Sequence, residues 1–167
     1  MKKFSMLGLS TVLVLGVLSL SDSAFAQQKV TKDQLMGTWT LVSCTNANGS
    51  PRAFCANVNA RMMLDAMGQY MNLGGPRGRT KCSGACGRAQ MSGEQYKAIA
   101  QGFAAEFGTW SFNEADQTLT RNRETALFPN NEGEEFKEKV SLSGDELRLV
   151  HETGFAVGAT DIWRRVR

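Results

Sequence analysis

The chain has 167 residues and a formal net charge of +3, which arises from 19 lysines and arginines against 16 aspartates and glutamates. Apart from the tail WRRVR, its basic residues are scattered among acidic ones. The sequence therefore lacks the basic surface that binds nucleic acid, and we expect no nucleic-acid partner. The length suits a single domain with a substantial core.

The beginning of the chain has the layout of a secretory signal peptide. A basic start is followed by an apolar run over residues 6–20, and a small-x-small pattern ends at Ala26. The alternative, an N-terminal membrane anchor, would need a longer apolar run. We therefore expect a signal peptide over residues 1–26, one domain over residues 27–167, a periplasmic or secreted location, and no membrane span in the mature chain.

Four cysteines lie in the exported part, the first of them in the first predicted strand, GTWTLVSC. An even number of cysteines in an oxidising compartment predicts two disulfides. Of the three possible pairings we favour Cys44–Cys55 and Cys82–Cys86, because each closes a short loop. The alternative is a four-thiolate metal site, but the spacings do not match paired CxxC motifs, so we expect no bound metal.

The segment ARMMLDAMGQYMNL predicts a hairpin that turns near residues 66–68. Methionine is adaptable and suits variable apolar ligands, but we interpret the four methionines of this hairpin as core residues: Met62, Met63, Met67 and Met71.

The segment MSGEQYKAIAQGFAAEF predicts the only helix, over about residues 92–106. Ser92 and Gln95 have the spacing of a capping box. Apolar side chains then recur at steps of three or four, and we expect this stripe to pack in the core: Tyr96, Ile99, Phe103 and Phe107.

Four short strands joined by tight turns follow the predicted helix, and a last loop leads to TDIWRRV. Together with the strands before the helix they number about eight. The sequence thus predicts an all-β, antiparallel up-and-down barrel with one helix, a fold that leaves no exposed sheet edge.

Alternation along these strands directs polar side chains into the barrel. If the apolar positions of TLTRNRETALF, EFKEKVSL and ELRLVHET face inward, Arg121, Glu138 and His151 face inward with them. The face of Arg121 also includes four neighbours: Leu119, Arg123, Thr125 and Leu127. A buried charge needs a partner or water, so this polar set is the main candidate site.

The segments LMGTWTLVS, FGTWSFNEADQTLT, ETALFPNNEGEEFKEKVSLSGDELRL and IWRRV together resemble the bacterial lipocalin-like domain family. The resemblance covers most of residues 35–166, and its specificity lies in the order and spacing of the motifs. It implies a small β-barrel with Trp39 near the closed end. It also implies that an arginine of the last strand, here Arg164 or Arg165, packs on that tryptophan.

The tripeptide GTW occurs twice, and the resemblance implies that the copies are two strand starts. Trp39 belongs to the first strand, and Trp110 would begin another strand just after the helix. The residues that follow the two copies differ at once, which argues against a duplicated domain. We expect structural roles for six residues of these motifs and of the last strand: Gly37, Trp39, Trp110, Trp163, Arg164 and Arg165.

One departure from the family pattern concerns the interior. Family members often have histidine near positions 121 and 122 and arginine near position 138, whereas this chain has Arg121 and Glu138. We hypothesise that these two side chains form an internal ion pair and that His151 joins it. The exchange argues against borrowing an acid–base mechanism from relatives that have histidine there.

We predict that the protein binds a small apolar or amphipathic ligand non-covalently inside the barrel, without a cofactor. An anionic head group opposite Arg121 or Arg123 is one option for such a ligand. Five side chains are expected to supply the polar contacts: Arg121, Arg123, Glu138, His151 and Tyr70.

Three alternatives stay open. A protein partner would bind through residues 46–51 or 74–87 and would leave the barrel filled. An isomerase or cyclase would use His151, the only histidine, as a general base oriented by Glu138. A haem-binding barrel would use the same histidine as an iron ligand. The simplest interpretation of His151 is a half-buried strand residue that neighbouring groups satisfy.

Overall fold

The computed structural model describes residues 29–79, 81, 88–154 and 156–167. The predicted signal peptide, residues 1–26, and the predicted pair Cys82–Cys86 lie outside these residues.

Eight strands close into an antiparallel barrel, in which each strand pairs with the next and the last pairs with the first. The predicted up-and-down barrel is therefore confirmed. The strands are β1 (Gly37–Thr45), β2 (Val58–Leu64), β3 (Gln69–Pro76), β4 (Ala104–Asn113), β5 (Thr118–Ala126), β6 (Glu135–Ser143), β7 (Glu146–His151) and β8 (Thr160–Arg165).

Tight turns explain why sequence neighbours pair. The β2–β3 turn contains Gly68 at φ 81° and the β6–β7 turn contains Gly144 at φ 56°, a left-handed conformation that glycine adopts without a steric penalty. The hairpin predicted to turn near residues 66–68 is present, with Leu64 opposite Tyr70 in its register.

Only one of the four hairpin methionines is a core residue. Met62 is fully buried, whereas Met63 and Met71 are half-exposed and Met67 is almost fully exposed. The cause is the two-residue period of a strand, which places Met62 inside and Met63 outside. The prediction that all four pack in the core is therefore wrong for three of them.

Three short α-helices accompany the barrel: α1 (Lys32–Leu35), α2 (Ala53–Ala56) and α3 (Gly93–Ala100). Two single 3-10 turns, Arg88–Gln90 and Pro129–Asn131, complete the helical content of the described residues. No helix in this part of the chain is long and apolar enough to cross a membrane.

The predicted helix begins as expected but ends six residues early. Ser92 caps α3, because its side chain accepts a hydrogen bond from the backbone N–H of Gln95. Gly102 follows the helix at φ 71°, a conformation that an α-helix cannot continue through, and β4 begins at Ala104. The expectation of one helix over about residues 92–106 is corrected accordingly.

The apolar stripe of that segment does not form part of the core. α3 buries none of its side chains, and Tyr96 and Ile99 are both half-exposed. Phe107 belongs to β4 and is also half-exposed, on the outer wall. Phe103 packs near the barrel rim, where the Arg79 guanidinium lies 5.0 Å from its ring centre. The predicted apolar stripe continues past the end of α3 into β4, so its residues do not lie on one face of a single helix.

The two ends of the barrel differ. The tight turns at residues 65–68, 114–117 and 144–145 meet at one end, the closed end, which α1 covers through contacts with β4. The opposite end, the loop end, has the longer connections between β1 and β2, β3 and β4, β5 and β6, and β7 and β8. The largest fully buried apolar side chains pack together in one cluster: Leu35, Trp39, Met62, Leu64, Leu119, Leu147 and Leu149.

Both tryptophans of the repeated tripeptide are buried, but only one is near a strand start. Trp39 is close to the beginning of β1, whereas Trp110 lies in the second half of β4. The expectation that Trp110 begins a strand is therefore wrong, because the preceding helix is shorter than predicted. The Trp39 indole N–H donates to the Leu35 carbonyl at 2.9 Å, and that of Trp110 donates to the Asp65 carbonyl at 3.1 Å.

Arg165, not Arg164, packs on Trp39. Its guanidinium carbon lies 4.1 Å from the indole ring centre, and its Nη1 donates to the Met36 carbonyl at 2.8 Å. Arg164 is exposed on the outer face of β8. Gly37 has φ 129°, and a Cβ there would lie 3.1 Å from Nη1 of Arg165, so glycine leaves room for this stacking.

Candidate functional site

The hypothesised ion pair is present inside the barrel. Glu138 on β6 is fully buried, and Arg121 on the neighbouring β5 is nearly so. Nη2 of Arg121 donates to Oε1 of Glu138 at 2.8 Å, and Nε donates to Oε2 at 3.1 Å, which makes the pair bidentate. Burial alone would lower the pKa of Arg121, but the carboxylates of Glu138 and Glu106 raise it above its ordinary value, so the guanidinium stays charged.

Glu106 bridges two arginines. Its Oε1 accepts from Nη1 of Arg121 at 3.3 Å, and its Oε2 lies 2.6 Å from Nε of Arg123. The Arg123 Nε–H does not point at that oxygen, so this second contact is an ion pair without a hydrogen bond. Nδ2 of Asn72 donates to Oε1 of Glu106 at 3.5 Å.

Arg123 is held from its other side as well. Its Nη1 donates to Oε2 of Glu134 at 3.0 Å and to the Asn131 carbonyl at 3.3 Å. The guanidinium carbon lies 4.1 Å from the ring centre of Phe136, a cation–π contact. Arg123 is buried, whereas the Glu134 side chain is half-exposed at the loop end.

His151 lies between two carboxylates. Its Nε2 is 3.0 Å from Oδ2 of Asp161 on β8 and 3.7 Å from Oε1 of Glu138. It therefore joins the Arg121–Glu138 pair as hypothesised, although Asp161 is the closer partner. Oδ1 of Asp161 also accepts from Nη1 of Arg52 at 3.4 Å.

These contacts form one interior ion network with balanced charge. In it, three arginines are matched by three largely buried carboxylates, and Glu134 adds a further carboxylate at the rim. The network comprises Arg52, Arg121, Arg123, Glu106, Glu138, Asp161 and His151. Within it, both guanidiniums at the centre already have carboxylate partners.

Tyr70 lies beside the network rather than at its centre. The Arg121 guanidinium carbon is 5.4 Å from its ring centre. Burial, together with the charge of Glu106, raises the pKa of Tyr70 to about 12. The phenol is therefore neutral at physiological pH.

A cavity of about 180 Å³ lies in the half of the barrel nearer the loop end, and six of the seven members of the interior ion network line it. All eight strands contribute to its wall, together with the connection from β1 to β2. Its apolar wall includes Leu41, Phe54, Ala60, Ala104, Phe136 and Trp163. Two buried polar atoms of wall residues have no hydrogen-bond partner among the described residues: Nε1 of Trp163 and Nδ1 of His151.

The structure brings together most of the predicted polar residues. Arg121, Arg123 and His151 line the cavity, whereas Glu138 and Tyr70 lie behind Arg121 and do not contribute to the wall. Glu106 was not predicted, because the helix expected over about residues 92–106 included it. Asp161 was not predicted either, although its alternation with Trp163 marks it as inward-facing. Arg52 had no signal of its own, because a loop residue has no face that alternation can assign.

The disulfide Cys44–Cys55 is present, as predicted, with the two Cα atoms 5.8 Å apart. It ties the connection between β1 and β2 to the barrel. Arg52, Phe54 and Cys55 of that connection all line the cavity, so the disulfide fixes part of the cavity wall. Among the described residues, no cluster of three or more His, Cys, Asp or Glu side chains is arranged to hold a metal ion.

Comparisons with solved structures found several similar chains. Among solved structures, a lipocalin-like protein from Bacteroides uniformis ATCC 8492 is similar at 18% identity and a TM-score of 0.45, covering 79% of this chain and 98% of that one. A mutant of the fluorescent protein UnaG follows at 13% identity and a TM-score of 0.40, covering 82% and 99%. The REP1-NXSQ fatty acid transporter has 10% identity and a TM-score of 0.38, covering 81% and 98%.

A comparison of the sequence with curated proteins found no match. The family model of a lipocalin-like domain, in contrast, matches residues 36–166, which is most of the chain. That match includes all eight strands and every member of the interior ion network. The chain belongs to the lipocalin-like domain family.

Proposed function

We propose that the protein binds a small, mostly apolar molecule non-covalently in the barrel cavity. The observation that supports this proposal best is the cavity itself, which is concave and combines apolar side chains with convergent polar groups. These are the usual features of a small-molecule site. The cavity also favours this function over a filled barrel that serves only a protein partner.

The volume limits the ligand. Sites for drug-sized molecules enclose roughly 300–1,000 Å³, whereas an apolar cavity of about 150 Å³ accommodates benzene. At about 180 Å³ the present cavity suits a molecule of roughly one ring with one or two substituents. A long acyl chain would exceed it.

We propose that the protein is exported and binds its ligand outside the cytoplasm. The disulfide Cys44–Cys55 supports it, since structural disulfides persist in oxidising compartments. We therefore propose that residues 1–26 act as a signal peptide and that the mature protein functions in the periplasm or outside the cell.

Native mass spectrometry of protein purified from a periplasm, with its disulfides intact, tests this proposal. We expect a mature chain that begins at Gln27 and a reproducible additional mass that is lost on denaturation. The control is the same preparation after unfolding and refolding, which should regain the additional mass only when extract is added back. A bare chain mass both before and after incubation with a metabolite extract would argue against ligand binding.

A further inference from the structure

Two of the three arginines of the cavity wall, Arg121 and Arg123, already have carboxylate partners. The third, Arg52, pairs with Asp161. All three guanidinium nitrogens of Arg121 donate to carboxylates, two to Glu138 and one to Glu106. Arg123 contacts Glu106 through Nε and Glu134 through Nη1. Glu106 thus lies where the carboxylate of an acidic ligand would have to bind in order to reach both arginines.

The charge balance disfavours a ligand with a net charge. An anion in this cavity would either displace Glu106 from its two arginines or share Arg52 with Asp161. Both outcomes leave more buried negative charge than the arginines can pair, which weakens the binding of an anion. An uncharged ligand leaves the interior ion network intact.

Two buried polar atoms of wall residues have no hydrogen-bond partner among the described residues. The indole N–H of Trp163 is a hydrogen-bond donor on a side chain that is only 4% exposed, and Nδ1 belongs to a His151 that is only 8% exposed. In the tautomer that carries its proton on Nε2, the nitrogen that faces Asp161, Nδ1 is a hydrogen-bond acceptor. Buried polar groups of this kind are normally hydrogen-bonded, so a ligand with complementary groups would satisfy both atoms once a small shift of these side chains exposes them to the cavity.

We propose that Glu106 acts as an internal counter-ion that excludes anions, so that the cavity selects uncharged ligands. Such a ligand accepts a hydrogen bond from Nε1 of Trp163 and donates one to Nδ1 of His151. Small ring compounds with a neutral amide group match this pattern of charge, size and hydrogen bonding. The proposal rests on the proposed function, because it specifies which ligands the same cavity takes.

Three probes with the same benzene ring test the proposal on the mature, disulfide-intact protein: toluene, benzamide and benzoate. Calorimetric or NMR titration should give the tightest binding for benzamide. Benzoate, which is nearly isosteric with benzamide but negatively charged, should bind at least about tenfold more weakly. Equal affinities for benzamide and benzoate would overturn the selection of uncharged ligands while leaving cavity binding in place. If none of the three binds, the proposed function itself fails, and this inference fails with it.

The substitution Glu106→Gln tests the role of the counter-ion. It removes one negative charge between Arg121 and Arg123 while keeping the shape of the side chain. We expect benzoate affinity to rise at least about tenfold relative to wild type, since a ligand carboxylate can then replace the lost charge. Glu124→Gln is the matched control, because it makes the same change of net charge at an exposed position of β5. An unchanged benzoate-to-benzamide ratio in folded Glu106→Gln protein would refute the role assigned to Glu106.

The substitution Trp163→Phe tests the donor. It keeps an aromatic ring but removes the N–H, so the preference for benzamide over toluene should fall roughly five- to tenfold. Trp110→Phe is the control for loss of an indole, since Trp110 does not line the cavity and its N–H already donates to Asp65. If Trp163→Phe keeps the preference for benzamide over toluene, the indole N–H of Trp163 does not recognise the ligand. The wild-type comparison of the three probes remains decisive even if a variant fails to fold.

Discussion

At the scale of single residues, a cation–π stack between Arg165 and Trp39 stabilises the closed end of the barrel. Arg165 lies on the face of the fully buried Trp39 and also donates to the Met36 carbonyl, so it joins β8 to the segment between α1 and β1. A charged donor that satisfies a backbone carbonyl contributes more than a typical exposed arginine. The stack and its hydrogen bond therefore link the two ends of the chain.

We expect Arg165→Ala to lower the free energy of unfolding by about 2 kcal/mol, because both the stack and the hydrogen bond to Met36 are lost. Arg164→Ala provides the matched control, since this neighbour is exposed and should change stability by less than about 0.5 kcal/mol. Urea denaturation under non-reducing conditions measures both values. Equal effects of the two substitutions would contradict the role given to Arg165.

The ionisation of Tyr70 gives a pH-dependent prediction. Its pKa is raised to about 12 in the folded protein, chiefly by burial, against about 10 for an unfolded tyrosine. The stabilising contribution is therefore fully present below about pH 10 and is lost as the pH rises towards 12, because the unfolded chain ionises first. A spectrophotometric titration should show a phenolate signal near pH 12 that Tyr70→Phe abolishes and that Tyr96→Phe retains. If Tyr70→Phe leaves that signal unchanged, Tyr70 is not the buried phenol described here.

At the scale of elements, alternation predicted the strands and the inward positions well. Arg121, Glu138 and His151 were placed inside the barrel because each shares a strand face with apolar residues, and the period of a strand is short and regular. Pairing across neighbouring strands then followed from the tight turns. These features are local, and a single sequence specifies them.

Features that depend on an interruption of the pattern were not predictable in the same way. The pairing of β4 with β5 shifts register at one point, because Phe107 pairs with Thr125 whereas Gly108 pairs with Arg123. Thr125 is therefore exposed, although alternation predicted that it faces inward. Glycine is required at this bulge, because a Cβ on Gly108 would lie 2.0 Å from the Asn122 carbonyl oxygen. Glu106 was missed for a related reason, since the apolar stripe continued past the true end of α3.

Contacts between distant segments lay beyond the sequence altogether. Arg52 and Asp161 are 109 positions apart and meet only because the barrel closes β8 on β1. No periodicity links a loop residue to a strand residue at such a separation. Local pattern therefore predicted four of the seven residues of the interior ion network, whereas the pairing of Arg52 with Asp161 required the closed fold.

The disulfide of the β1–β2 connection also acts at the scale of elements. It closes a loop of 11 residues in sequence separation, for which loop-closure entropy predicts a contribution of about 3 kcal/mol. The double substitution Cys44→Ser with Cys55→Ser should lower the free energy of unfolding by roughly that amount. Thermal and urea unfolding of the two proteins, compared at one pH without reductant, provide the measurement. Undiminished stability in the double variant would show that the connection is held by its other contacts.

At the scale of the whole molecule, the two halves of the barrel interior differ in the side chains that fill them. The closed end is filled by the packed apolar cluster beneath α1, whereas the half towards the loop end has charged groups and a cavity. The charges are balanced within the interior ion network, so the polar half is compatible with a stable fold. The central claim is that the remaining space in this half is a site for a small ligand.

The most direct test of that claim is an NMR titration of the mature protein with toluene, repeated on two variants in which an alanine is replaced by leucine. Ala104→Leu places extra volume in the cavity wall, whereas Ala105→Leu makes the same change on the adjacent residue, which does not line the cavity. We predict saturable shifts of backbone amides around the cavity in wild type and in Ala105→Leu, and at least about tenfold weaker binding in Ala104→Leu. Equal binding by all three proteins, or none by wild type, would contradict the assignment of the cavity as the ligand site.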